Sequence, residues 1–161
     1  MDTNQLLIIT ASNGENLKLA KRFSAASENL DIHTEILDLT TTELPLYNPR
    51  THTEKESADT VKALANQLNN KSHWVICAPE YNGSIPPLLS NAIAWLSLND
   101  DDFRNLFNGR PIAMATFSGG GGMELLLSMR IQLTHLGAQV LGRQLQSNYN
   151  KPAKDKSIED I

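Results

Sequence analysis

Three short segments carry the residues that could do chemistry. The first, Thr10-Ala11-Ser12-Asn13-Gly14-Glu15-Asn16, follows a brief apolar run and opens a segment of helical period. Small hydroxyl and amide residues around a glycine, placed at a helix start, form an anion cradle. The first helical amides lack partners within the helix, and the helix dipole favours negative charge there. Ser12 and Asn16 have side chains short enough to add hydrogen bonds to a phosphate. An ordinary Ser/Asn helix cap accounts for the same residues equally well. The pattern is neither G-x-G-x-x-G nor a Walker loop, so a Rossmann dinucleotide site or a nucleoside triphosphate site is not expected. A second segment, Ser118-Gly119-Gly120-Gly121-Gly122, loses backbone entropy when it orders. Close approach of the backbone to a flat ring would require such bareness, although a flexible loop before a helix is also credible. The third segment, Pro79-Glu80-Tyr81-Asn82-Gly83-Ser84-Ile85-Pro86, is rich in turn formers.

Other reactive types fall away. His33, His52, His73 and His135 lack metal-ligand spacing, and no metal site is expected. Cys77, the single cysteine, lies inside an apolar run and reads as a small buried hydrophobe. Asp100-Asp101-Asp102 reads as a water-facing carboxylate run, and Asn82-Gly83-Ser84, a glycosylation sequon, has no use in a cytosolic chain. No acidic pair follows the first apolar run, which argues against a phospho-receiver domain.

The elements that must position these segments alternate short apolar runs with helical periods, the mark of βαβ units and a parallel sheet. Strands are expected at Leu6–Thr10, Ile32–Leu37, Trp74–Ala78, Pro111–Phe117 and, briefly, Ala138–Leu141. Helical stripes run through Leu19, Phe23, Ala26 and Leu30, then Ala58, Val61, Leu64, Ala65 and Leu68. Two more pass through Leu89, Ile93 and Leu96, begun by Pro86-Pro87, and through Leu126, Met129, Leu133 and Leu136, stopped by Gly137. The stretch from Leu44 to Pro49 reads as a loop, and the charged tail from Lys151 as loosely ordered. The whole is expected to be one domain, residues 1–161. In a doubly wound sheet, ligands sit beyond the carboxyl ends of the strands near a switch in strand order, which is where all three segments fall.

The composition is ordinary for a soluble globular protein of one domain. Of 161 residues, 40% are hydrophobic and 20% charged, and 14 basic against 18 acidic side chains leave a net charge of −4. Neither nucleic acid nor an anionic membrane is expected as a partner. No run approaches the roughly 18 apolar residues of a membrane span, no signal peptide is evident, and a lone cysteine suits a reducing compartment, so a cytoplasmic location is expected.

The third segment resembles the P-E-Y-N-G-S-I-P loop of NADPH-dependent FMN reductases, flavodoxin-like proteins that include quinone, chromate and azo reductases. The likeness continues through Pro87-Leu88-Leu89-Ser90-Asn91-Ala92-Ile93-Ala94-Trp95-Leu96, and more loosely from Leu6 to about Leu141. It implies a flavodoxin-like α/β/α sandwich whose five-stranded parallel sheet has the order 2-1-3-4-5. It also implies FMN as cofactor, NADPH or NADH as hydride donor, and FMN, quinone or a similar small molecule as acceptor. By this likeness Ser12, Asn13, Gly14, Glu15, Asn16 and Leu17 hold the phosphate. Tyr81, Asn82 and Gly83 line the N5–O4 edge of the ring, Gly119 and Gly120 pass beside it, and Pro79, Glu80 and Ser118 belong to the same cofactor-binding loops. No acid–base residue is assigned. The family's first loop is usually longer and carries an arginine, whereas here no Arg or Lys precedes Lys18, so amides and small side chains are expected to hold the phosphate. A homodimer or homotetramer is implied, with the helix from Pro87 to Leu98 and its Trp95 as the candidate surface. The alternatives are a flavodoxin-type electron carrier without a pyridine-nucleotide site and a partner-binding module with a degenerate flavin site.

Overall fold

Alternate side chains on the central strands divide into two apolar sets, and each set has its own layer of helices. In the computed structural model, which describes residues 5–50, 55–98 and 101–161, β1 (Gln5–Thr10), β2 (His33–Asp38), β3 (His73–Cys77), β4 (Pro111–Phe117) and β5 (Gln139–Ser147) form one sheet. Its order is β2-β1-β3-β4-β5, parallel throughout. Ile8, Val75, Cys77, Ala113 and Ala115 face α1 (Glu15–Glu28) and α5 (Asp155–Glu159). Leu7, Ile9, Trp74, Ile76, Ile112 and Met114 face α2 (Lys55–Asn69), α3 (Pro87–Leu96) and α4 (Met123–His135). Strands covered on both faces need apolar residues at every position, which is why β1, β3 and β4 stand out as continuous runs. The chain leaves β1 toward β2 and returns on the other side of β1 as β3. The crevice between the carboxyl ends of β1 and β3 is therefore the switch point.

The expected strands and helices are all present, with β2 and β3 displaced by one residue. Three differences have physical causes. Leu30 is not on the buried face of α1. Asp31 takes a left-handed conformation (φ 57°), the amide of Ile32 donates to the Ser27 carbonyl, and Leu30 is left 59% exposed in the helix stop. Gly137 (φ 89°) stops α4 by the same pattern, its successor Ala138 donating to the Leu133 carbonyl. The fifth strand does not end at Leu141 but continues to Ser147. It is an edge strand, its register against β4 slips between Ile112 and Met114, and its exposed Gly142 and Arg143, followed by the half-buried Gln144, show no apolar run. Finally, the tail is docked. Ile158 of α5 is buried against the α1 side, Arg22 donates to the Ala153 carbonyl (2.8 Å) and to Asp155 (2.6 Å), and Asp160 pairs with Arg143 and Lys156.

The surface expected on α3 is also turned inward. Trp95 is buried, donates its indole N–H to the Pro45 carbonyl (2.8 Å) and meets the Tyr47 ring edge-on. Among the described residues no helix is long and apolar enough to cross a membrane.

Candidate functional site

The loops after β1, β3 and β4 meet at the carboxyl edge of the sheet, and side chains from the interior hold them in place. In the first loop, the buried Thr10 hydroxyl donates to the Ser12 carbonyl at 2.8 Å and sets the turn. Ser12 is half-buried, and Asn13 and Gly14 are exposed. No side chain caps α1, and among the described residues no protein oxygen accepts from the amides of Gly14, Glu15 and Asn16. The amide of Leu17 already donates to the Gly14 carbonyl at 3.1 Å. The helix cap that Ser12 or Asn13 could have made is thus not formed, and the first turn is left to an outside acceptor. Lys18, the nearest following cation, is tied to Glu15 at 2.7 Å, and that hydrogen bond raises its pKa.

Asn16 is placed differently from expectation. Its side chain is buried and does not reach out to a ligand: Nδ2 donates to the Phe117 carbonyl (2.9 Å) and Oδ1 accepts from the Phe117 amide (2.8 Å).

After β3, Pro79 and Glu80 are half-buried and the next four residues turn back on themselves. Tyr81 and Ser84 exchange both backbone hydrogen bonds at 3.0 Å, with Asn82 (φ 50°) and Gly83 (φ 70°) at the tip. Positive φ at both central positions is the mirror-image turn for which Asn-Gly is the preferred pair. The turn holds Tyr81 half-exposed at the rim and leaves open space above Gly83. Glu80 lies between the loops. Its amide donates to Ser118 Oγ (2.8 Å), and its carboxylate accepts, at 3.4 Å, from the Leu125 amide in the first turn of α4.

The glycine run after β4 separates into two pairs. Gly121 (φ 100°) and Gly122 (φ 76°) are required by the fold, since a Cβ on Gly122 would lie 2.7 Å from Thr116 Cγ2. Gly119 and Gly120 have ordinary φ, and a Cβ there would meet nothing closer than Glu80 Oε1, 3.9 Å from Gly120. The protein itself has no need of glycine at these two positions. Ser118 is buried, so its side chain belongs to the framework; only its neighbours face the crevice.

The longer β5 adds a fourth segment to this edge. Ser147 donates to the Thr116 carbonyl (2.8 Å), and beyond it the exposed Tyr149 packs edge-on against Phe117 at 4.8 Å. A strand ended at Leu141 hides this segment, although Ser147-Asn148-Tyr149-Asn150 carries a clear turn signal. Asp101 and Asp102 lie in an exposed turn away from this edge, where Asp102 accepts from the Arg104 amide at 3.0 Å; Asp100 and His52 are outside the described residues. A cavity of about 350 Å³ opens at the opposite edge of the sheet, between Leu6, Phe23, Trp74 and Ile158. Its walls are mostly carbon, with Gln5, Ser27, His73 and Glu159 as the polar residues along them.

Comparison with known proteins identifies the family and the fold. The sequence model described as NADPH-dependent FMN reductase matches residues 5–151. The quinone reductase of Escherichia coli (strain K12) is 33% identical over 133 residues, a match that covers 81% of this chain and 66% of that protein. The chain therefore spans just under two thirds of that relative's length. Among solved structures, the NAD(P)H:(acceptor) oxidoreductase FerB from Paracoccus denitrificans superposes with a TM-score of 0.74 at 24% identity, covering 98% of this chain and 87% of that one. A flavodoxin from the domain Archaea superposes with a TM-score of 0.63 at 10% identity, covering 97% and 90%. These two establish the fold.

Proposed function

The chain belongs to the NADPH-dependent FMN reductase family, and on that footing we propose that it is an oxidoreductase. It holds FMN at the carboxyl edge of its sheet, takes hydride from NADPH or NADH, and passes electrons to a small-molecule acceptor such as FMN or a quinone. One observation carries this reading above the rest: Gly119 and Gly120 are bare without any internal reason, and they share an edge with a helix whose first amides have no acceptor among the described residues. A flat ring and a phosphate are the two groups that such surfaces lack.

FMN, when bound, supplies the hydride-accepting ring. The chain supplies binding, orientation and exclusion of water. The amides of Gly14, Glu15 and Asn16, with Ser12, Asn13 and Leu17 around them, would receive the phosphate. The Tyr81–Gly83 turn, held by Pro79 and Glu80, would bound one edge of the ring with main-chain groups, where donors oppose the charge that reduction adds. Gly119 and Gly120 would lie beside it and leave space for a nicotinamide. Delivery to a quinone draws support from the Escherichia coli relative's name.

The carrier reading keeps one observation in its favour, namely that the cradle is uncharged, Lys18 being paired with Glu15. We also propose self-association, through α4 rather than α3. Met123, Leu127 and Ile131 are exposed at spacings of one turn along α4, starting beside Gly122. Binding is tested by titrating the protein with FMN and with riboflavin while recording the visible spectrum. FMN should bind near one per chain and more tightly than riboflavin; equal affinity would remove the α1 turn from the site.

A further inference from the structure

We propose that Asn16 is a positioning residue that fixes the distance between the phosphate end and the ring end of the site, and so sets the preference for FMN over riboflavin. The proposal rests on the flavin-site reading above.

The geometry is that of a strand continued by a side chain. In a parallel ladder, the N–H and C=O of alternate residues point to the same neighbour. Ala115 of β4 pairs with Cys77 of β3, and the Ala78 amide donates to the Ala115 carbonyl at 3.1 Å. Two residues on, the N–H and C=O of Phe117 point the same way, but the chain has already turned off into the Pro79–Pro86 loop. Asn16 fills the vacated position. Its carboxamide carries the same donor and acceptor as a peptide, and it bonds both groups of Phe117 at 2.9 and 2.8 Å, across 101 residues of sequence. The residue is 2% exposed and both carboxamide groups are committed to Phe117, so the side chain presents nothing to a ligand and only the backbone amide is left to do so.

What Asn16 joins is specific. It stands in the first turn of α1, among the amides proposed for the phosphate. Phe117 is the last residue of β4, next to Ser118 and the open pair Gly119-Gly120 proposed for the ring. FMN must satisfy both ends at once, and binding at one end raises the effective concentration of the other only when their spacing is held. Riboflavin uses the ring end alone, and inorganic phosphate the α1 end alone. Neither depends on the spacing.

The test compares wild type with Asn16→Ala and, in case that variant fails to fold, with Asn16→Ser, whose single hydroxyl cannot bond both groups of Phe117. Dissociation constants are measured for FMN, for riboflavin, and for inorganic phosphate by displacement of bound FMN. The expected result is a loss of about tenfold or more in FMN affinity, with riboflavin and phosphate each changed less than about twofold. Phosphate affinity falling in parallel with that of FMN would make Asn16 a direct ligand and overturn the proposal. A lowered melting temperature with all three constants unchanged would reduce it to a structural residue and overturn it equally. A wild-type protein that takes no FMN would instead sink the flavin reading itself.

Discussion

The amide of Glu80 donates to the hydroxyl of Ser118 at 2.8 Å, across 38 residues, and so ties the loop after β3 to the loop after β4. The bond is the first of a chain. Thr116 Oγ1 donates its proton to the Ala78 carbonyl (2.6 Å), so in the 2.8 Å contact between the two hydroxyls Ser118 must be the donor. The Glu80 amide is satisfied only while Ser118 is present. Replacing Ser118 with Ala should therefore leave the Glu80 amide without its acceptor and cost about 1–3 kcal/mol in a denaturant titration. No change in midpoint would mean that water replaces the hydroxyl freely.

The glycine run gives a contrast within four residues. Gly122→Ala places a side chain at φ 76° against Thr116 and should destabilise by about 1–3 kcal/mol. Gly120→Val, in open space at ordinary φ, should stay within about 0.5 kcal/mol of wild type. It should nevertheless slow reduction by NADPH more than it weakens FMN, because the cradle proposed for the phosphate is on another loop. Equal effects on rate and affinity would place Gly120 outside the nicotinamide space.

How much of this was legible follows from where the determinants lie. Central strands announce themselves because Leu7, Ile8 and Ile9, or Trp74 through Cys77, must be apolar on both faces. The Asn82-Gly83 turn and the Gly137 stop are local conformational demands and show in the local sequence. The end of β5 did not show, because an edge strand with a register slip tolerates Arg143 and Gln144. Nor did the true partner of Asn16: a short amide before a helix looks the same whether it faces a phosphate or a peptide 101 residues away.

Cys77 is fully buried in β3, and burial pushes its thiol well above the ordinary value of 9.0. The folded state thus keeps a proton that the unfolded chain releases. Below that ordinary value Cys77 adds no pH dependence, and above it stability should fall by about 1.4 kcal/mol per pH unit. Denaturant titrations at rising alkaline pH should show this component in wild type and lack it in Cys77→Ala. A thiol reagent should label Cys77 only on unfolding; rapid labelling of the native protein would contradict its burial.

Self-association through α4 predicts that Ile131→Asp, at a position 72% exposed, leaves the melting behaviour of the fold intact but lowers the mass seen by light scattering. A wild-type monomer at micromolar concentration would remove the proposal.

The central claim is that the site brings a pyridine nucleotide to a bound flavin, and anaerobic mixing tests it most directly. Protein loaded with FMN is placed in an oxygen-free cuvette, NADPH or NADH is added, and the visible flavin band is followed. The band should bleach with nucleotide alone and return when a quinone is added, with steady turnover while both are present. If dithionite bleaches the flavin but neither nucleotide does, the chain is a carrier and not a reductase.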